Sequence, residues 1–265
     1  MQNVIAVALI SSVLSSCGSS EAGPPEPVQA PPEKVSAAVV IDNTPLATLA
    51  IGGSISVLQT DAELISPENG LWREAQEYSM ELGMAPPVHQ SINLRYDPAT
   101  PAIPVYVRAA TDGVNLYLRM RWPDASENTA TSRSDFADGA AVQFALDNPA
   151  TASGPTTSFM MGAPDGPVNI WYWKAGQEQT QNLAAGGFGS TTRLDSAGLT
   201  SSSVYRSSGE WVVVFSRPLH AEGDFQVPLG TGQASMAFAL WQGGQKQRDG
   251  LKHVSMGWVS LEPAS

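Results

Sequence analysis

Apolar and polar positions alternate over short runs along most of this chain, with the period of two that marks half-buried β-strands. Residues 105–109 (VYVRA) lead through Thr111-Asp112-Gly113 into residues 115–122 (NLYLRMRW). Two alternating runs joined by Asp-Gly predict a hairpin, because the glycine accepts the positive φ of a tight turn. In the second run Leu116, Leu118, Met120 and Trp122 share one face, and Tyr117, Arg119 and Arg121 share the other. Further strands are predicted over 140–146, 168–173, 211–215, 235–241 and 254–261, separated by clusters of Gly, Pro, Asp and Ser. No segment carries a long 3.6-residue apolar period with caps, so only a short helical turn near residues 69–77 is expected. Residues 176–203 are polar, small and Gly-rich and read as one long loop. There is no repeat at a 20–50-residue period of the kind that builds propellers or solenoids. The pattern predicts an all-β fold, a single β-sandwich of roughly ten strands.

The first fifty residues break this pattern. Residues 4–14 (VIAVALISSVL) are apolar throughout and end in Leu14-Ser15-Ser16-Cys17. Such a run is too short to span a bilayer but suits the core of a signal peptide. Leu-Ser-Ser before Cys matches a lipoprotein signal, in which small residues admit the peptidase and the Cys17 thiol takes the lipid. The segment lacks the usual Lys or Arg ahead of the apolar run. The following stretch, GSSEAGPPEPVQAPPEKV, is too rich in proline and small residues to build a core and reads as an extended tether. The expected organisation is therefore a signal peptide over 1–17, a tether over 18–50 and a globular domain over 51–265. Gly18 rather than Asp follows the cysteine, which favours the periplasmic face of the outer membrane over the inner one.

Composition narrows the function. One cysteine excludes disulfides within the chain, cysteine-based zinc sites and iron–sulfur clusters. A net charge of −11 repels a phosphate backbone and argues against nucleic acid. There is no G-x-S-x-G elbow, H-E-x-x-H or P-loop, and only three histidines, so a catalyst is not expected. Eight methionines and seven tryptophans stand out instead. They gather in Phe159-Met160-Met161-Gly162, in residues 168–174 (VNIWYWK), and in residues 250–258 (GLKHVSMGW) behind Trp241. A thioether is a soft iron ligand, and a lysine can ligate as the neutral amine once its proton is driven off. Taken alone, methionine is more often core filler than ligand.

These segments, in order, resemble one family. Trp72-Arg73-Glu74-Ala75, Pro87 to Gln90, the hairpin from Val105 to Asp124, Asp135 to Phe144, the Phe159–Gly162 and Val168–Ala175 pieces, Trp211 to Arg217, Phe238 to Trp241 and Lys252 to Trp258 follow its pattern collinearly. The family is that of the haem-binding γ subunits of ethylbenzene dehydrogenase, dimethylsulfide dehydrogenase, and chlorate and selenate reductases. The resemblance implies one b-type haem, held non-covalently in a β-sandwich like those of carbohydrate-binding modules, with axial Met and Lys. By position these are Met161 and Lys252, with Met160, Lys174 and His253 as alternatives. Strand alternation would let only one of Met160 and Met161 reach the iron. Trp171 and Trp173 would line the cofactor. It further implies electron transfer with a molybdenum catalytic subunit and an iron–sulfur subunit; the anchor and tether are additions that also suit a soluble c-type cytochrome as partner.

A second reading starts from the same tryptophans. Trp171 and Trp173 share a strand face, and an exposed pair would stack on sugar rings, as in a carbohydrate-binding module of a surface lipoprotein. A third is an assembly lipoprotein without a ligand, its tryptophans packing the core.

Overall fold

The computed structural model describes residues 45–147, 156–231 and 233–262. The expected signal peptide, Cys17 and the expected tether as far as residue 44 lie outside the described residues. Among the described residues there are fourteen strands where roughly ten were expected. In chain order they are β1 (Leu46–Thr48), β2 (Ser54–Gln59), β3 (Glu77–Met84), β4 (Ile103–Thr111), β5 (Asn115–Pro123), β6 (Gly139–Ala145), β7 (Val168–Lys174), β8 (Gln181–Ala185), β9 (Thr192–Arg193), β10 (Thr200–Arg206), β11 (Glu210–Pro218), β12 (Ala234–Trp241), β13 (His253–Val254) and β14 (Val259–Glu262). β1 falls inside the stretch expected to be tether: it pairs with β3 in parallel, and the neighbouring Leu49 is buried.

The strands run in the order β10-β11-β5-β4-β2-β14-β12-β6-β7-β8-β9. Parallel pairing of β2 with β14 joins the two halves of this path, and β13 joins them again by pairing with both β12 and β3. The sheet thus wraps around one core. Leu116, Leu118, Met120 and Trp122 of β5 enter it, as their shared face predicts, opposite Val142, Phe144, Trp171, Phe238 and Leu240. The predicted hairpin forms between β4 and β5, with Gly113 at φ +82°. The expected helical turn is a 3-10 turn, Gly70–Glu74, capped by the Asn69 side chain.

The stretch expected as one loop, 176–203, contains strands. β8, β9 and the start of β10 lie in it. One polar residue, Asn182, is buried by hydrogen bonding rather than by hydrophobicity: it is 1 % exposed, accepts from Asn169 Nδ2 (2.7 Å) and donates to the Asp195 carbonyl (2.7 Å). Periodicity cannot detect a strand buried in that way. The run expected over 254–261 is two strands, interrupted where the Ser255 Oγ accepts from the Phe238 amide at 2.9 Å.

The second face of β5 is covered too. Tyr117 packs with Leu64, Trp72, Ala75, Ala110 and Val214 beneath the segment that precedes β3. Beside it Glu77 meets three guanidinium groups: Arg121 at 2.8 Å, Arg108 at 3.3 Å and Arg119 at 3.7 Å. Burial alone would raise the Glu77 carboxyl, but hydrogen bonds and charge from Arg121 and Arg108 outweigh it and hold it below its ordinary value. Replacing Glu77 with Gln removes the shared carboxylate from three buried or half-buried cations. The expected loss is about 3–5 kcal/mol of folding stability, read by urea denaturation; a loss under about 1 kcal/mol would mean that water already screens these arginines.

Candidate functional site

The chemistry collects on the outer face of the β12-β6-β7-β8 half. Alternation sends Ala140, Val142, Phe144, Trp171, Trp173, Phe238 and Leu240 inward. The residues left on the outside are small where β6 and β12 adjoin. Register aligns them in three rows: Lys174, Gly139 and Trp241; then Tyr172, Ala141, Ala239 and Val254; then Leu183, Ile170, Gln143 and Ala237. Successive rows are about 6.7 Å apart along the strands. Four positions reduced to Gly or Ala leave a shallow floor, and the cavity above it has a volume of about 600 Å³. That size suits a cofactor-sized organic ligand.

Loops build the walls. Residues 158–162 bring Phe159, Met160 and Met161 over one side, and Gln143 Nε2 holds this turn by donating to the Phe159 carbonyl at 2.9 Å. Met161 has φ +69°, a left-handed conformation that costs a non-glycine residue about 1–2 kcal/mol. Gly162 follows at φ +74°, where a Cβ would stand 2.8 Å from the Gly166 carbonyl and 2.9 Å from that of Ala185. The Gly187 amide donates to the Met161 carbonyl at 2.8 Å and completes the clamp. Across the cavity, Asp138 fixes the base of the 128–137 wall: its carboxylate accepts from the Asn128 amide (2.8 Å), the Gly243 amide (2.8 Å) and Trp211 Nε1 (2.9 Å).

Lys252 enters from the residue before β13. Its Nζ lies 3.6 Å from Met161 Sδ and 4.9 Å from the centre of the Trp241 ring. The side chain is buried, and among the described residues no carboxylate pairs with it. Desolvation therefore pushes its amine down from the ordinary 10.5 to about 8. A thioether and an amine whose hold on its proton is weakened meet at 3.6 Å in the lining of a largely apolar cavity. This is a donor pair suited to a soft or borderline metal centre.

The other expected site residues sort clearly. Met160 also lines the cavity, because residues 158–162 form a turn; the alternation that would have separated Met160 from Met161 does not apply. Of the two, Met161 is the one in contact with Lys252. Lys174 lines the far end of the floor. His253 is fully buried outside the cavity, its Nε2 3.1 Å from the Pro101 carbonyl and its Nδ1 3.2 Å from Gln247 Nε2, so it is a bonded core histidine and not a facing ligand. Trp171 and Trp173 must be corrected in both their expected roles. They are 0 % and 4 % exposed in the core, and they neither line the cavity nor offer a sugar-stacking platform. The aromatic residues on the cavity floor are Tyr172 and Trp241, in edge contact at 5.2 Å, with Phe136, Phe159 and Phe188 on its walls. The alanine floor and these two rings were readable from the alternation of residues 139–143, 170–174 and 237–241, had the outward face been traced instead of the inward one.

With the geometry in place, comparison with known proteins adds a family. The model of the family described as ethylbenzene dehydrogenase matches residues 69–206, just over half of the chain. The chain belongs to that family. One relative is the γ subunit of dimethylsulfide dehydrogenase from Rhodovulum sulfidophilum, 42 % identical over 199 residues, which cover 73 % of each chain. Another is the chlorate reductase γ subunit of Ideonella dechloratans, 36 % identical over 78 % of this chain and 82 % of the relative. A third, described as a respiratory nitrate reductase heme subunit from Haloferax mediterranei, is 34 % identical over 56 % of this chain and 52 % of its own. Among solved structures, a family 9 carbohydrate-binding module from Caldicellulosiruptor kristjanssonii in complex with cellotriose aligns at TM-score 0.42 with 12 % identity, over 80 % of this chain and 95 % of that one.

The buried amine generates a pH dependence. The folded state holds the Lys252 amine at about 8 against 10.5, so between those values the unfolded chain binds more protons. Stability of the cofactor-free protein should rise as pH increases through that window. Lys252→Met should abolish this rise in urea denaturation measured at both ends of the window, and identical slopes for the two proteins would sink the assignment.

Proposed function

We propose that this chain is an exported electron-transfer subunit that holds one b-type haem in the alanine-floored slot, with Met161 and Lys252 as axial ligands. The observation that carries the reading is the approach of Met161 Sδ to a buried Lys252 Nζ, with which no carboxylate among the described residues pairs, at 3.6 Å inside a cavity of about 600 Å³. Family membership supports it, as does the description of one relative as a heme subunit. A bound haem would supply reversible one-electron chemistry; the remaining work is done by residues of this chain. Met161, held in its strained turn, presents a soft sulfur that favours the reduced metal. Lys252 is kept close to its neutral, ligating form by burial. The Ala and Gly floor leaves room for a flat ring, while Tyr172, Trp241 and Phe159 exclude water from it.

The γ-subunit relatives support a role as an accessory to an oxidoreductase rather than as the catalyst. On this reading the electrons pass to or from a molybdenum catalytic subunit through an iron–sulfur subunit, or to a soluble c-type cytochrome. Cys17 carries the lipid, and the tether holds the domain off the periplasmic face of the outer membrane. Replacing Cys17 with Ser should move the protein from the membrane to the soluble periplasmic fraction, and unchanged membrane retention would remove the lipid anchor from this picture.

The deciding measurement is an absorption spectrum of the chain from Gly18 onward, purified from the periplasm with haem supplied. A six-coordinate low-spin spectrum is expected, shifted by Met161→Ala and by Lys252→Ala. Ala239→Leu should leave the fold intact, because the side chain projects outward, yet abolish the spectrum by filling the slot. Absence of a Soret band from the unaltered protein after haem loading would overturn the reading.

A further inference from the structure

The cavity is not uniform along the strands. Its Leu183–Ile170–Gln143–Ala237 end is walled by Phe159 and is mostly apolar. The opposite end, at the Lys174–Gly139–Trp241 row, carries cations. Lys174 and Arg248 both line it, and Asp249 is the one carboxylate among the described lining residues. Trp241 Nε1 donates to the Asp249 carbonyl at 3.1 Å, which brings the 246–250 loop to this end of the floor. The Arg248 guanidinium lies 4.7 Å over the Phe136 ring, and that of Arg95 lies 5.8 Å over the same ring. Arg95 also donates to the Lys246 carbonyl at 2.6 Å, while Lys246 Nζ donates to the Ser134 carbonyl at 3.0 Å. In a chain of net charge −11, four cations therefore gather at one rim, with Asp249 (3.6 Å from Arg248) and Asp135 (3.9 Å from Lys246) as their ion-pair partners.

We infer that this rim is an anion subsite for the carboxylates of the cavity's ligand, with Lys174 and Arg248 as the contacting groups. The inference rests on the haem reading above and deepens it. The two propionates of a b-type haem would lie at the Lys174–Arg248 end, and the apolar edge of the ring would lie toward Leu183 and Phe159. The physical reason is the cost of placing carboxylates in the apolar end, set against a rim whose cations already face the cavity. Stacking on Phe136 holds the guanidinium plane in place before a ligand arrives, so less freedom is lost in pairing. Lys252 is not one of these rim cations: it is buried against Met161 and the Trp241 ring.

The test compares ferric haem with its dimethyl ester, in which both carboxylates are masked, binding to the chain from Gly18 onward. The proteins are the unaltered chain, Arg248→Gln, Lys174→Gln and the double variant, with affinity read from the Soret band. Both side chains reach solvent, so the variants should retain the thermal midpoint of the parent. The unaltered chain should bind haem more tightly than the ester; the double variant should lose about tenfold in haem affinity and bind the ester as before. Rising salt should erase the same difference. A double variant that still prefers haem over the ester by the parental margin would overturn the subsite and leave the haem reading standing. An unaltered chain that binds neither compound would overturn the haem reading, and the subsite with it.

Discussion

Everything at the site depends on how β6 and β12 divide their side chains between two faces. Neighbouring residues on a strand point to opposite sides, so Ala141 and Ala239 are outward because Val142 and Leu240 are inward. The inward set is large and closes the core against β5. The outward set is small at Gly139, Ala141, Ala237 and Ala239, between Gln143 and Trp241, and the missing side-chain volume becomes the cavity. Core and slot are two consequences of one register. A slip by one residue would place valine and phenylalanine over the slot and alanine in the core.

At that floor Met161 and Lys252 are held by elements that each carry a local cost. Met161 sits in a left-handed conformation, which a methionine keeps only because Gly162, the Gly187 amide and the Gln143 side chain over-determine the turn around it. Lys252 is buried without a carboxylate, which lowers its affinity for a proton. Neither feature helps the domain fold. Glu77, also buried, has the opposite character: it is surrounded by arginines and holds its charge firmly. The contrast separates a charge cluster that binds the sheet to its covering segment from a lone amine left available for a ligand.

The tryptophans illustrate why residue type alone misplaces a site. Trp122, Trp173 and Trp211 form a chain of edge contacts inside the core, at 6.1 and 4.9 Å. Trp171 lies against Phe144 at 4.5 Å. They bury large apolar areas where the sheet closes on itself, which is the commonest use of the residue. Trp241 does reach the cavity, because it is outward on β12 and its ring nitrogen finds a partner in the Asp249 carbonyl.

By itself the sequence determined the strands with strong alternation, the β4–β5 hairpin and its core face, and the class of the fold, because a period of two is a local property. Met161 and Lys252 were singled out by its resemblance to the haem-binding γ subunits. The sequence did not reveal β8 to β10, where Asn182 is buried by hydrogen bonds and β9 and β10 carry mostly exposed or half-buried polar residues, and it misread Met160 and Met161 as alternating on a strand. Only the tertiary structure decided that Met161 and Lys252, ninety-one positions apart, meet across one slot while His253 turns away. That outcome depends on β13 pairing with both β12 and β3, a closure made by backbone contacts between segments remote in the chain, which no local pattern encodes.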